Sequence, residues 1–200
     1  MSEESARSHT RRMVRKKQVV DAAIARATQT RGLLLLLTGN GKGKSSSAFG
    51  MVGRALGHGI RVAVFQFIKG SGDTGEQLYF QRDPGVRWEQ CGEGFTWETQ
   101  NRERDIAAAR AGWSKACEAL ADPAVGLVVL DEMTYLFNHG YLDLAEVLPV
   151  LAARPPLQHV VITGRGAPRA LLDAADTVSE IADVKHAFRA GVAAQPGIDR

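Results

Sequence analysis

The sequence has little cysteine. Cys91 and Cys117 stand alone, with no C-x-x-C spacing, which excludes a disulfide framework or a cysteine-built zinc site and makes a reducing cytoplasm the expected compartment. Long apolar runs are also missing. None approaches the roughly 20 residues of a membrane-spanning helix, so no membrane partner is expected. The N-terminus is polar and basic, without the apolar core of a secretory signal. No internal repeat or low-complexity tract is present. Excess charge is absent except at one end: residues 1–31 hold eight Lys/Arg against three Asp/Glu, and the rest of the chain holds 17 against 19. The cluster Arg11, Arg12, Arg15, Lys16, Lys17 has the charge of a nucleic-acid arm. It lacks interleaved aromatics, and the domain behind it is not basic. A solvated helix face, or a lid over an anionic ligand, is expected instead, and no nucleic acid.

What is present is ordinary globular material, 200 residues long, enough for one domain with a full core. Residues 1–31 read as a basic N-terminal segment and residues 32–200 as the domain. Met1–Thr10 is polar and expected to be disordered. Arg11–Gln29 has helical spacing of apolar residues. Strands are expected at Leu33–Leu37, Arg61–Phe67, Val86–Gln90, Gly126–Leu130, His159–Ile162 and Thr177–Ile181. Helices are expected near Lys44–Leu56, Glu76–Gln81, Asn101–Ala121, Thr134–Phe137, Leu142–Ala152 and Arg169–Ala174. Most strands are continuous apolar runs alternating with helices. That pattern predicts an α/β fold, a mostly parallel sheet with helices on both faces, and together with the phosphate loop described next it is P-loop NTPase-like (RecA-like). Ligands of such sheets sit beyond the carboxyl ends of the strands.

The stretch at that edge with the most chemistry follows the five leucines Leu33–Leu37. Thr38-Gly39-Asn40-Gly41-Lys42-Gly43-Lys44-Ser45-Ser46-Ser47 is a buried strand running into a phosphate loop and then a helix. Glycines let the backbone turn N–H groups onto phosphate oxygens, and the helix adds its positive end. Lys44 supplies a point charge, and the Ser45 hydroxyl is a Mg²⁺ ligand. The usual spacing G-x-x-x-x-G-K-[ST] puts its first glycine at position 38, but Thr38 stands there and Gly39 follows. The loop is one residue short, so the phosphate chain is expected to seat differently from that of an ordinary ATPase.

Other strand tips carry further groups. Asp131-Glu132 follows Gly126–Leu130 like a Walker-B acid, either holding Mg²⁺ or capping the next helix. Lys69 follows the second strand, as a phosphate contact or a solvated loop lysine. Arg165, after Thr163-Gly164, is placed to neutralise phosphate or bind substrate. Phe95 and Trp97, in a Gly-rich loop, are either core or a flat apolar wall for a large planar ligand. On these features alone, a general P-loop NTPase or kinase and a nucleotide-dependent nucleic-acid-binding module both stand as alternatives.

Taken together, Gly39–Ser45, Gln66-Phe-Ile-Lys69-Gly70, Gly92–Thr99, Leu130-Asp-Glu132, Ile162-Thr-Gly-Arg165 and Val184-Lys-His-Ala-Phe188 resemble the P-loop type ATP:corrinoid adenosyltransferases. These are also called cob(I)yrinic acid a,c-diamide adenosyltransferases. The resemblance covers about Met13 to Asp199, with Ser45-Ser46 where the family typically has threonines. It implies ATP and Mg²⁺ as cofactors, a reduced corrinoid as substrate, a reduced flavoprotein or flavin as electron donor, and a homodimer. The implied reaction is attack of Co(I) on C5′ of ATP with loss of the whole triphosphate. It also implies that Gly39, Asn40, Gly41, Lys42, Gly43, Lys44, Ser45, Ser46, Lys69 and Arg165 hold the triphosphate. Ser45, Asp131 and Glu132 are implied at the metal, Phe95 and Trp97 beneath the corrin, and the N-terminal helix as a lid over it.

Overall fold

The computed structural model describes residues 3–68, 74–92 and 101–199, with side chains from residue 8 onward. Lys69, Phe95 and Trp97 lie outside the described residues, as does the loop from Gly70 to Asp73. The chain divides into two compact units, residues 1–31 and 32–200.

The first unit is one helix, α1 (Glu3–Arg26). From Glu3 onward it takes the place of the disorder expected over Met1–Thr10, and it stops short of the expected Gln29. The segment is rich in Ala, Arg, Lys and Glu, all good helix formers, and Lys17 pairs with Asp21 one turn on at 2.5 Å. Met13, Val14, Val19, Val20 and Ile24 are exposed, because a single helix has nothing of its own to bury them against.

The second unit is a six-stranded sheet, with β1 (Leu34–Thr38), β2 (Val62–Gln66), β3 (Val86–Gln90), β4 (Leu127–Asp131), β5 (His159–Thr163) and β6 (Thr177–Glu180) in the order β3-β2-β4-β5-β1-β6. Every pair is parallel. β1 starts one residue later than the leucine run suggests: the Leu33 N–H donates to His159 Nδ1 at 3.2 Å, while its carbonyl accepts the Val160 N–H at 2.8 Å.

The alternating faces explain the apolar runs. Leu37, Val62, Val64, Leu127, Val129 and Val161 point to one side, under Ala48, Phe49 and Val52 of α2 (Lys44–Gly57). Phe80 of the short α3 (Gly75–Phe80) packs on that side too. Leu36, Phe65, Leu130 and Ile162 point to the other. There they meet Trp113, Ala116 and Leu120 of α4 (Arg102–Ala121), Leu136 of α5 (Thr134–Asn138), Val147 and Leu151 of α6 (Leu144–Ala152), and Leu171 of α7 (Arg169–Ala174). Burial on both faces is what a parallel sheet requires. The fold is α/β, an all-parallel sheet consistent with the P-loop NTPase-like class.

Local caps fit this plan. The Asn101 side chain accepts the Arg104 N–H at the start of α4, and Asp143 accepts from Ala145 at the start of α6. At the far end of α4, the buried Gln158 amide donates to the carbonyls of Ala119, Asp122 and Val125 at 2.9–3.2 Å. Burial pushes the Cys91 thiol up to about 11, so it is an inert core group at neutral pH.

Candidate functional site

The carboxyl ends of β1, β4 and β5 open onto a cleft of about 760 Å³. That lies within the usual size of small-molecule sites. Its floor is the glycine-rich loop between β1 and α2. Gly43, with φ of 119°, turns the chain into α2 through a conformation that side chains resist. No side chain caps α2, and its first turn carries no acid, so its leading N–H groups are left for an anion. The Gly41 N–H is spent elsewhere: it donates to the Ile181 carbonyl at 2.7 Å.

Residues 41–46, Glu132 and Arg165 all line this cleft. Lys44 Nζ donates to the Gly41 carbonyl at 2.6 Å. Its pKa is lowered from the ordinary lysine value, first by burial and next by the positive charge of Arg165, against the pull of Glu132 and Asp131. Two cations facing one cavity make a site for a polyanion. Arg165 is placed by its backbone. Its carbonyl accepts from Thr134 Oγ1 at 2.7 Å and Asn138 Nδ2 at 3.0 Å, both on α5. The preceding Gly164 permits that approach, since a Cβ there would fall 2.0 Å from Thr134 Oγ1.

The two acids separate. Asp131 is fully buried and is not part of the cleft lining. Its carboxylate accepts from Thr163 Oγ1 at 2.7 Å and Gln66 Nε2 at 3.2 Å. Glu132 lines the cleft, with φ of 60°, a conformation that costs a non-glycine residue about 1–3 kcal/mol. Gly39 and Asn40 fall outside the lining.

Some cleft residues carry no local sequence signal. Tyr135, its pKa raised chiefly by burial, faces the cleft from α5. Tyr79 forms a wall, edge-on to Phe80 at 5.2 Å, and Phe80 stacks on Trp88. His186 and Asp199 come from the far end of the chain, Asp199 pairing with Lys42 at 2.9 Å.

Among the described residues no group of three or more His, Cys, Asp or Glu is arranged to hold a metal. Mg²⁺ needs no such cage. It binds through one or two protein oxygens plus phosphates and water, and the Ser45 hydroxyl and Glu132 carboxylate are hard-oxygen donors on one cleft. The donor set fits that ion.

Over residues 30–199 the chain matches the family described as ATP:corrinoid adenosyltransferase BtuR/CobO/CobP. The chain belongs to this family. A corrinoid adenosyltransferase of Pseudomonas aeruginosa is 59% identical over 199 residues, covering 99% of this chain and 98% of that protein. The corrinoid adenosyltransferase CobA of Salmonella typhimurium is 52% identical, over 96% of this chain and 97% of its own length. One from Sinorhizobium is 42% identical, over 96% and 91%. The family match thus spans the glycine-rich loop, Asp131-Glu132 and Arg165 alike.

Proposed function

We propose that this protein transfers the 5′-deoxyadenosyl group of ATP to the cobalt of a Co(I) corrinoid, in adenosylcobalamin synthesis or salvage in the cytoplasm. The observation that carries the reading is the meeting of Lys44, Arg165 and Glu132 on one cleft in a chain of this family.

The nucleophile is the substrate's own cobalt. It gives both electrons of the new Co–C5′ bond, and the C5′–O pair leaves with inorganic triphosphate. The protein therefore has to hold and stabilise a leaving group. Lys44, Arg165 and the leading N–H groups of α2 face where that charge gathers. Lys42 adds to the same cationic surface, and Lys69 is a further phosphate contact proposed from the resemblance. Ser45 and Glu132 would hold Mg²⁺, which supplies further charge neutralisation on the phosphates. Asp131, buried beneath, supports Glu132.

The corrinoid side is proposed from the resemblance. Phe95 and Trp97 floor the corrin and displace its lower ligand, which eases reduction of Co(II) by a reduced flavoprotein or flavin. Residues 1–31 serve as the lid, and the active form is a homodimer.

The phosphorus products test this. With ATP and a reduced corrinoid, phosphorus NMR should show inorganic triphosphate appearing in step with corrinoid consumption. ADP or orthophosphate as the product would make the protein an NTPase or kinase instead.

A further inference from the structure

The turn that aims Glu132 into the cleft depends on one hydroxyl. β4 and β5 are neighbours, with Leu130 opposite Ile162, so Thr163 at the end of β5 lies beside the end of β4. The Glu132 N–H donates to Thr163 Oγ1 at 2.8 Å, and the same hydroxyl donates to Asp131 Oδ1 at 2.7 Å. A hydroxyl has one proton to give, and here it is committed to the carboxylate while a lone pair takes the amide. Asp131 is fixed from its other side by Gln66 Nε2, and Gln66 Oε1 accepts from Trp88 Nε1 at 3.1 Å. Thr163, Asp131 and Gln66 are all fully buried. The chain of bonds crosses the sheet from β3 through β2 and β4 to β5 and ends on the backbone of Glu132. From there it passes to the cleft wall, because the Glu132 carbonyl accepts the N–H of Tyr135.

We propose that Thr163 is a positioning residue. Its hydroxyl holds Glu132 in the left-handed turn that presents the carboxylate to the cleft for Mg²⁺. The inference rests on Glu132 as a metal ligand and assigns Asp131 the part of anchoring Thr163. Valine has the same branched shape and neither hydrogen bond. Serine has both bonds and lacks only the methyl.

A merely structural role would weaken nucleotide binding whether or not metal is present, whereas a positioning role acts only through the metal. The experiment is ATP binding by calorimetry, with Mg²⁺ and with EDTA, on the full chain, beside melting curves. Thr163→Val should raise the Mg²⁺ concentration for half-maximal effect about tenfold or more, the usual loss when a ligand's supporting partner is removed. Its ATP affinity in EDTA should equal the parent's. Thr163→Ser should restore the metal response. Thr163→Val combined with Glu132→Gln should respond to Mg²⁺ no worse than Glu132→Gln alone. Should Thr163→Val not fold, Thr163→Cys, with a weaker hydrogen-bonding group, must show the same metal-selective loss in smaller measure. Equal weakening with and without metal, or additive losses in the double variant, would overturn the inference. Glu132→Gln shifting the Mg²⁺ response while Thr163→Val leaves it unmoved would also overturn it and spare the metal reading. A Glu132→Gln response equal to the parent's would overturn both.

Discussion

Asp199 pairs with Lys42 of the loop between β1 and α2 at 2.9 Å, placing a carboxylate beside the surface proposed to receive the triphosphate. The pair is exposed to solvent, and such pairs are weak and screened by salt. On the proposed function, incoming phosphate competes with this carboxylate for Lys42. Asp199→Asn should therefore tighten ATP binding, by no more than about fivefold, with a smaller gain at high salt. Calorimetry at two ionic strengths checks this, and weaker binding in Asp199→Asn would contradict it.

Lys44 gives the cleft a pH dependence of defined sign. Without nucleotide its pKa lies below the ordinary 10.5, because burial and Arg165 disfavour the charged form. A bound polyphosphate favours that form and raises the pKa again. Binding should thus take up a proton at alkaline pH, and ATP affinity should fall as pH rises through the lowered Lys44 value toward 10.5. The same depression makes charged Lys44 a cost to the fold, relieved as pH climbs through its lowered value. Lys44→Ala should lose most activity, keep its fold, and flatten the affinity profile over that window. A profile that falls equally in Lys44→Ala would assign the effect to another group.

Gln158 ties α4 to the start of β5. Gln158→Leu keeps the bulk but strands the Val125 carbonyl, held at 2.9 Å, and leaves the Ala119 carbonyl with the Asp122 N–H alone. The expected cost is about 1–3 kcal/mol. At this chain length that corresponds to a melting temperature lower by about 2–12 °C. An unchanged melting curve would show that those carbonyls find other donors.

Phe95 and Trp97 matter, on this account, only while cobalt is being reduced from Co(II). Phe95→Ala and Trp97→Ala should cripple the reaction when a mild flavin-type reductant must act on bound Co(II). They should be far less harmful when Co(I) is supplied. A core role predicts equal loss in both assays and a stability penalty of about 3–5 kcal/mol. Activity in the two assays, read beside a melting curve, decides between them.

The strand–loop–helix around Gly43 was legible because each part is local: an apolar run, then glycines, then a helix. The acid at the tip of β4 was legible for the same reason. Which of Asp131 and Glu132 faces the cleft was not, because it depends on the register of β4 with β5 and on a backbone turn held by Thr163. Asp199 was invisible as a cleft residue, and His186 stood only within the Val184–Phe188 segment of the resemblance, with no role attached. They reach it only because β6 pairs with β1, Glu180 opposite Thr38, which carries the following chain to the phosphate loop. The first turns of α1 were misread because a short, charged, alanine-poor stretch suits a solvated helix as well as a coil.

The most direct measurement of the central claim is made anaerobically. Chemically reduced cobalamin and MgATP are mixed with the protein, and the corrinoid product is isolated in the dark and weighed by mass spectrometry. The account predicts one 5′-deoxyadenosyl group per cobalt, released by light, with the absorbance of Co(I) lost as it forms. Unmodified corrinoid at full turnover of ATP would contradict it.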